Sequence, residues 1–284
     1  MVSRVSMGLG CLFFLAGCAQ TPKFYESPIG YDLNKGEPFV LPDVLHELSG
    51  IAFPEKSGDL IYANEDENGK VYFFSPGNPT LREIQFGKAG DYEAIAIGNG
   101  HVVVLESKGT VYTFPFLEIG QNKVTGLKIT ENLIPGEEYE SLAFSPADGL
   151  LYILCKKCRA DKATASLTGY ILDLSMEGTV SYKGEFQIDE GDIDRFAGLK
   201  GKRFRPSALT QNPRTKEWFI LSSINKMLVT ANEKWEITGA YPLDPSLFNQ
   251  PEAIAFDHDW NLYIGNEGGD KARNATLLKF NLIH

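Results

Sequence analysis

Three glutamates occupy the same place in three similar strings of the chain. Tyr92-Glu93-Ala94-Ile95-Ala96-Ile97, Tyr139-Glu140-Ser141-Leu142-Ala143-Phe144 and Pro251-Glu252-Ala253-Ile254-Ala255-Phe256 each set a carboxylate ahead of a run of small and aliphatic residues. Leu48-Ser49-Gly50-Ile51-Ala52-Phe53 and Pro206-Ser207-Ala208-Leu209-Thr210-Gln211 carry serine at that place. Further acids, Glu65, Asp66, Glu106 and Glu267, end the apolar runs that follow, with Asn266, Glu47 and Asp91 close by in sequence. Gathered in one place, such groups form a hard oxygen site, suited to calcium rather than zinc or copper. Crowded carboxylates also raise one another's pKa unless a cation compensates, and Arg205 is the candidate for that internal partner. The pattern also fits acids that hydrogen-bond the loop amides of the next blade and stitch the ring together, or catalytic carboxylates.

Other chemistry-bearing residues are less telling. Cys155-Lys156-Lys157-Cys158 is a single C-x-x-C that cannot complete a tetrahedral zinc site, and no histidine lies near it. In an oxidising compartment a local disulfide is expected; a redox pair activated by Lys156 and Lys157, or free thiols, stay open. Asn64-x-Asp66-x-Asn68-Gly69 mimics the opening of an EF-hand loop, but Ser75 stands where that loop needs Glu, so an Asx-rich turn is expected. His46, His101, His258 and His284 are scattered without a nucleophile at a triad spacing, and no Gly-rich phosphate loop is present.

The elements that position these residues repeat. Ser49, Glu93, Glu140, Ser207 and Glu252 are 44, 47, 67 and 45 residues apart. One long interval aside, this is the ~40–50 residues of a four-stranded propeller blade. Each repeat continues with a turn and further runs rich in β-branched and aromatic residues, which are strand signals. Tyr62, Tyr152 and Tyr263 recur at equivalent second-strand positions and are expected to pack between blades. Because neighbouring strands are antiparallel, the start of each first strand and the end of each second strand share one mouth of the axial tunnel. The last repeat has three strands, and Glu37-Pro38-Phe39-Val40-Leu41 ahead of the first supplies a fourth, closing the ring and removing exposed edges. The expected fold is an all-β, five-bladed β-propeller closed by an N-terminal strand. A sixth blade hidden in the long interval is the alternative, although Asp189–Phe204 there reads as a charged loop.

The chain has 284 residues, with 27 basic against 37 acidic side chains and a formal charge of −10. That field repels phosphate backbones, so nucleic acid is excluded as a partner. Residues 1–17 carry one Arg and an apolar run ending Leu15-Ala16-Gly17, followed by Cys18. This is the layout of a secretory signal. It resembles the bacterial lipobox, which implies that Cys18 is lipidated, that Cys11 leaves with the signal, and that the chain is an extracytoplasmic lipoprotein of the cell envelope. Ala19 in the following position favours the outer membrane. Residues 18–35 then read as lipidated N-terminus and tether, and residues 36–284 as the propeller.

Beyond the repeat itself, Glu47-Leu-Ser-Gly-Ile, Asp66-Glu67-Asn68-Gly69, Gly90-Asp91-Tyr92-Glu93, Arg205-Pro206-Ser207, Gln250-Pro251-Glu252 and Asn266-Glu267 resemble the motifs of the SdiA-regulated (YjiK/CarP-like) family. The resemblance spans essentially residues 36–284. It implies a membrane-attached β-propeller, remotely phytase-like, with a calcium connection in some members. The lipobox departs from members that carry an N-terminal transmembrane helix. On the residues, the leading expectation is a module that binds calcium, a small ligand or an envelope partner at its acidic mouth. The alternative is a calcium-dependent, phytase-like phosphoesterase drawing on Lys156, Lys157, Arg159, Arg205 and Lys226; a lactonase-like hydrolase and a plain interaction scaffold are further rivals.

Overall fold

Strand β1 (Glu37–Val40) is separated from the next strand only by a 3-10 turn, Asp43–Leu45, in this computed structural model, which describes residues 24–54, 60–78, 80–121, 123–269 and 273–283. The signal segment 1–17, with Cys11, and Cys18, Ala19 and His284 lie outside the described residues. Blade 1 is β2 (Leu48–Ala52), β3 (Ile61–Glu65), β4 (Asn68–Phe74) and β5 (Arg82–Ala89). Blade 2 is β6 (Tyr92–Gly98), β7 (His101–Glu106), β8 (Val111–Pro115) and β9 (Lys128–Thr130). Blade 3 is β10 (Glu138–Ser145), β11 (Leu150–Lys157), β12 (Ser166–Leu174) and β13 (Val180–Asp189). Blade 4 is β14 (Ala208–Gln211), β15 (Trp218–Ser222), β16 (Met227–Ala231) and β17 (Ile237–Pro242). Blade 5 takes β18 (Pro251–Phe256), β19 (Leu262–Asn266) and β20 (Thr276–Phe280), with β1 as its fourth strand, paired antiparallel from Glu37↔Lys279 to Val40↔Thr276. The ring is therefore a five-bladed propeller.

The core lies between blades, not at the axis. Each apolar cluster joins two neighbours, as where Ala94 and Ala96 of blade 2 meet Leu142, Leu151 and Ile153 of blade 3. Small residues on the first strands let backbones crowd there. A Cβ added to Gly50 would lie 2.6 Å from Asn64 Oδ1 and 2.8 Å from the Ile95 amide, so only glycine fits. Tyr62, Tyr152 and Tyr263 are buried in three of these clusters, Tyr152 with its ring 4.6 Å from that of Trp218.

Blades are clasped mainly through backbone and amide groups. Buried Asn64 of blade 1 donates from Nδ2 to the Tyr92 carbonyl of blade 2 at 2.7 Å, and Ser207 of blade 4 donates to the Pro251 carbonyl at 2.8 Å. The ring closes where the Gly268 amide donates to the His46 carbonyl, also at 2.8 Å. Asn64→Ala strands a buried carbonyl, so it should destabilise the fold by about 2 kcal/mol. Urea unfolding would show this as a lower midpoint at unchanged slope.

Two segments depart from the sequence reading. Asp189–Phe204, expected as a loop, contains helix α2 (Glu190–Ala197), which follows the single-turn α1 (Asp161–Thr164). Asp189 caps it by accepting from the Gly191 amide at 2.7 Å, acids fill its first turn, and left-handed Gly198 ends it. Residues 24–35, expected as tether, are partly packed: Tyr31 and Leu33 are buried against Phe219 and Phe256 of blades 4 and 5.

A candidate cation site at the acidic mouth

The residues aligned from sequence share a backbone device. Cα pairing passes from Leu48↔Glu65 to Gly50↔Asn64, from Tyr92↔Glu106 to Ala94↔Leu105, from Tyr139↔Cys155 to Ser141↔Leu154, and from Pro251↔Asn266 to Ala253↔Gly265. In each case one residue of the first strand is left over: Ser49, Glu93, Glu140 and Glu252. Each is the extra residue of a β-bulge, which bends the strand and re-aims the side chain. Here the re-aimed side chains point into the tunnel mouth. Ser207 takes the equivalent place in blade 4, just ahead of β14.

Glu93, Glu140 and Glu252 line a cavity of about 310 Å³ together with Asp66 and Glu267. Glu47, Ser49, Ser207, Gln250 and Lys156 complete its polar wall. Glu65 and Glu106 do not line it. Glu65 turns back on its own hairpin, accepting from the Glu67 amide at 3.0 Å and the Asn68 amide at 2.8 Å. Those bonds also dispose of the EF-hand mimic, which is a carboxylate-capped turn between β3 and β4. Glu106 faces the Tyr112 hydroxyl, 3.4 Å away. Arg205 stays outside the cavity as well; its guanidinium donates to the Lys156 carbonyl at 2.9 Å.

Lys156 is the internal cation that sequence reasoning assigned to Arg205. It lies at the end of β11 inside the loop closed by the Cys155–Cys158 disulfide, whose sulfurs are 2.13 Å apart, and its ammonium donates to Glu140 Oε1. Disulfide and Arg205 together fix the backbone from which it reaches inward. Its doublet with Lys157, one inward and one paired at the surface with Glu138, is the signal in the sequence that distinguished nothing beforehand.

The acids hold their protons far above the usual carboxylate range. Burial, then the charges of Glu140 and Asp91, push Glu93 up to about 9. Burial and Glu252 bring Glu140 to about 7 in spite of Lys156. Burial and neighbouring Glu47 raise Glu267 to about 8 and Asp66 to about 6. Burial raises Glu252 too, although hydroxyls of Ser223 and Ser207 and the two lysines, Lys156 and Lys226, oppose it. Burial pulls Lys156 down, but Glu140, Glu252 and Glu138 outweigh it, so its pKa rises. The Lys156 ammonium is thus shared among several acids, with Lys226 adding to it at Glu252, and satisfies none of them fully.

Two of those acids carry a further mark. Glu140 Oε2 and Asp66 Oδ1 are buried without a hydrogen-bond partner, which calls for water or an ion. Carboxylate and hydroxyl oxygens of this number match calcium. The carboxylates are spread out, however. Among the described residues, the trio of His, Cys, Asp or Glu ligand atoms all within 4.8 Å of one another is Cys155, Cys158 and Asp161. Its sulfurs are spent in the disulfide, and Asp161 accepts from the Thr168 amide and hydroxyl. A cation at the mouth would be held partly through water.

The sequence model of the SdiA-regulated family matches residues 37–269. No curated protein matches the chain. Among solved structures, a luciferin-regenerating enzyme superposes with a TM-score of 0.53 at 10% identity, over 87% of this chain and 95% of that one. A calcium-binding regucalcin from Agrobacterium tumefaciens strain C58 gives 0.51 at 11% identity, over 89% and 95%. At these identities the likeness is one of fold.

Proposed function

The chain belongs to the SdiA-regulated family, and from that premise we propose that it is a membrane-anchored, extracytoplasmic module that binds a divalent cation, calcium first, at its acidic mouth. The observation that carries this reading is the set of bulge glutamates from three blades around one cavity, with orphaned oxygens on Glu140 and Asp66. The regucalcin likeness adds no residue to the site, and the reading rests on this chain's own acids. Calcium would be held by Glu93, Glu140, Glu252, Asp66 and Glu267, whose protons it must displace. The Leu15-Ala16-Gly17-Cys18 string supports the lipid anchor on a bacterial envelope membrane, with the outer membrane favoured by Ala19. Of the five basic residues a phosphoesterase would draw on, only Lys156 lines the cavity, which favours binding over phosphoryl chemistry.

Titration calorimetry with calcium, or terbium luminescence, on the full chain in detergent tests the site. Binding should appear at pH 8, weaken as pH falls through 6, and fall at least ~10-fold in Glu93→Gln/Glu252→Gln, because calcium affinity follows ligand charge. Absence of binding in wild type, or an unchanged affinity in the double variant, would sink the site.

A further inference from the structure

The mouth opposite the acids is lined largely by aliphatic and aromatic side chains. Along each first strand, the positions two and four residues past the mouth residue also face the tunnel. The nearer set, Ile51, Ile95, Leu142, Leu209 and Ile254, forms a waist with about 10 Å³ free, room for roughly one water. The farther set includes Phe53, Phe144 and Phe256, which ring a bowl of about 300 Å³ whose lining is mainly apolar but also takes in Thr210, Gln211, Asp257 and His258.

Exposed apolar side chains stand at this end of the propeller, Trp260 on the bowl and the others at outer-strand turns. Leu117 follows β8, Met176 sits in the β12–β13 turn and Trp260 in the β18–β19 turn, at the end where first strands finish; they are 87%, 70% and 39% exposed. Singly such residues mean little, and Val44, Phe196, Ile224 and Leu247 are exposed near the other mouth. What separates the two mouths is where the N-terminal segment joins the propeller. The Ile283 amide donates to the Gly30 carbonyl at 2.8 Å, and the Tyr31 hydroxyl donates to the Trp260 carbonyl at 2.7 Å. That segment therefore reaches the propeller at the apolar mouth, with Ile29 97% exposed beside it. From Phe24 back to Cys18 the chain spans at most ~20 Å.

We propose that the apolar mouth is laid on the bilayer to which the chain is anchored, with Leu117, Met176, Ile29 and Trp260 entering the lipid interface and the acidic mouth turned to the aqueous compartment. The orientation rests on the lipidation of Cys18 proposed above. Independent physics favours it: tryptophan suits the headgroup level, the bowl trades water for lipid, and anionic headgroups repel the carboxylate mouth.

Full chain purified from membranes and reconstituted in phosphatidylcholine vesicles gives the test, with intact-mass measurement of the same sample reporting lipid on Cys18. Brominated phosphatidylcholine should quench the added emission of Leu117→Trp and Met176→Trp at least ~2-fold more than that of Ile224→Trp at the acidic mouth. Such a difference supports the bilayer-facing mouth; found without a lipid mass on Cys18, it still supports this face and counts against the anchor. Equal quenching at the three sites, or none at Leu117→Trp and Met176→Trp, overturns the orientation even where the lipid mass is present.

Discussion

The cation-free protein should become easier to unfold as pH rises from about 5 to 9, and Glu93→Gln should remove a substantial share of that loss, the rest coming from Glu267, Glu140, Asp66 and Glu252. Glu93 ionises near its ordinary 4.5 in the unfolded chain and at about 9 in the fold. Below 4.5 both states are protonated and pH has no leverage through this group. Between the two values the folded state keeps a proton that the unfolded state has shed. The folded state then binds more protons, so unfolding free energy falls with pH. Every tenfold difference in proton affinity between the two states is worth about 1.4 kcal/mol, but water and Lys156 relieve part of the burden, leaving a loss of about 2–4 kcal/mol. Glutamine keeps the shape and never ionises, so Glu93→Gln should be the more stable protein at pH 8.5 and indistinguishable from wild type near pH 4.5. Urea unfolding at several pH values in excess chelator reads this directly. Stability that is flat or rising from pH 5 to 9, or a Glu93→Gln variant weaker at pH 8.5, would show that the carboxylate is well solvated.

That prediction depends on a bulge, and bulges mark where sequence reading stops. Spacing of the Glu-Ala-Ile-Ala type strings was enough for five blades, because a repeat that buries its face only against its neighbour leaves a period of blade length. Mouth and tunnel also followed, since strand direction alone puts the starts of first strands together. The bulge did not. Glu93 and Tyr92 are adjacent, and simple alternation does not say which one is left unpaired and re-aimed. Strand-end acids suffered from the same limit. Glu65 finishes β3 and Asp66 follows it, yet one caps its own hairpin and the other enters the cavity, a choice made by two turn amides. Helix α2 was missed because eight residues are too short for helical periodicity to register, although its Asp189 cap and Gly198 stop were in plain view.

Lys156→Met should give a protein that needs calcium to be stable above neutrality. In the cation-free fold Lys156 is the charge that opposes ionisation-driven repulsion among Glu140, Glu252 and Glu93. Removing one partner of a buried pair is strongly destabilising when the other must stay charged. Glu140 has an escape, because it already titrates near 7 and takes up a proton once its partner is gone. At pH 6 the variant should therefore lose little, while at pH 8.5 it should lose about 2–3 kcal/mol. Calcium reverses the comparison. An ammonium among the acids competes with any ion that enters, so its removal should tighten calcium binding about 10-fold at pH 8.5, equivalent to about 1.4 kcal/mol. At pH 6 the gain disappears, since protons then occupy the oxygens the ion would use. Arg205→Ala, which only frees the Lys156 backbone, should shift both quantities in the same direction by less. Calcium affinity unchanged by Lys156→Met across this pH range would place the ammonium outside the ion's field. The acidic mouth would then be a proton-holding pocket and not a cation site.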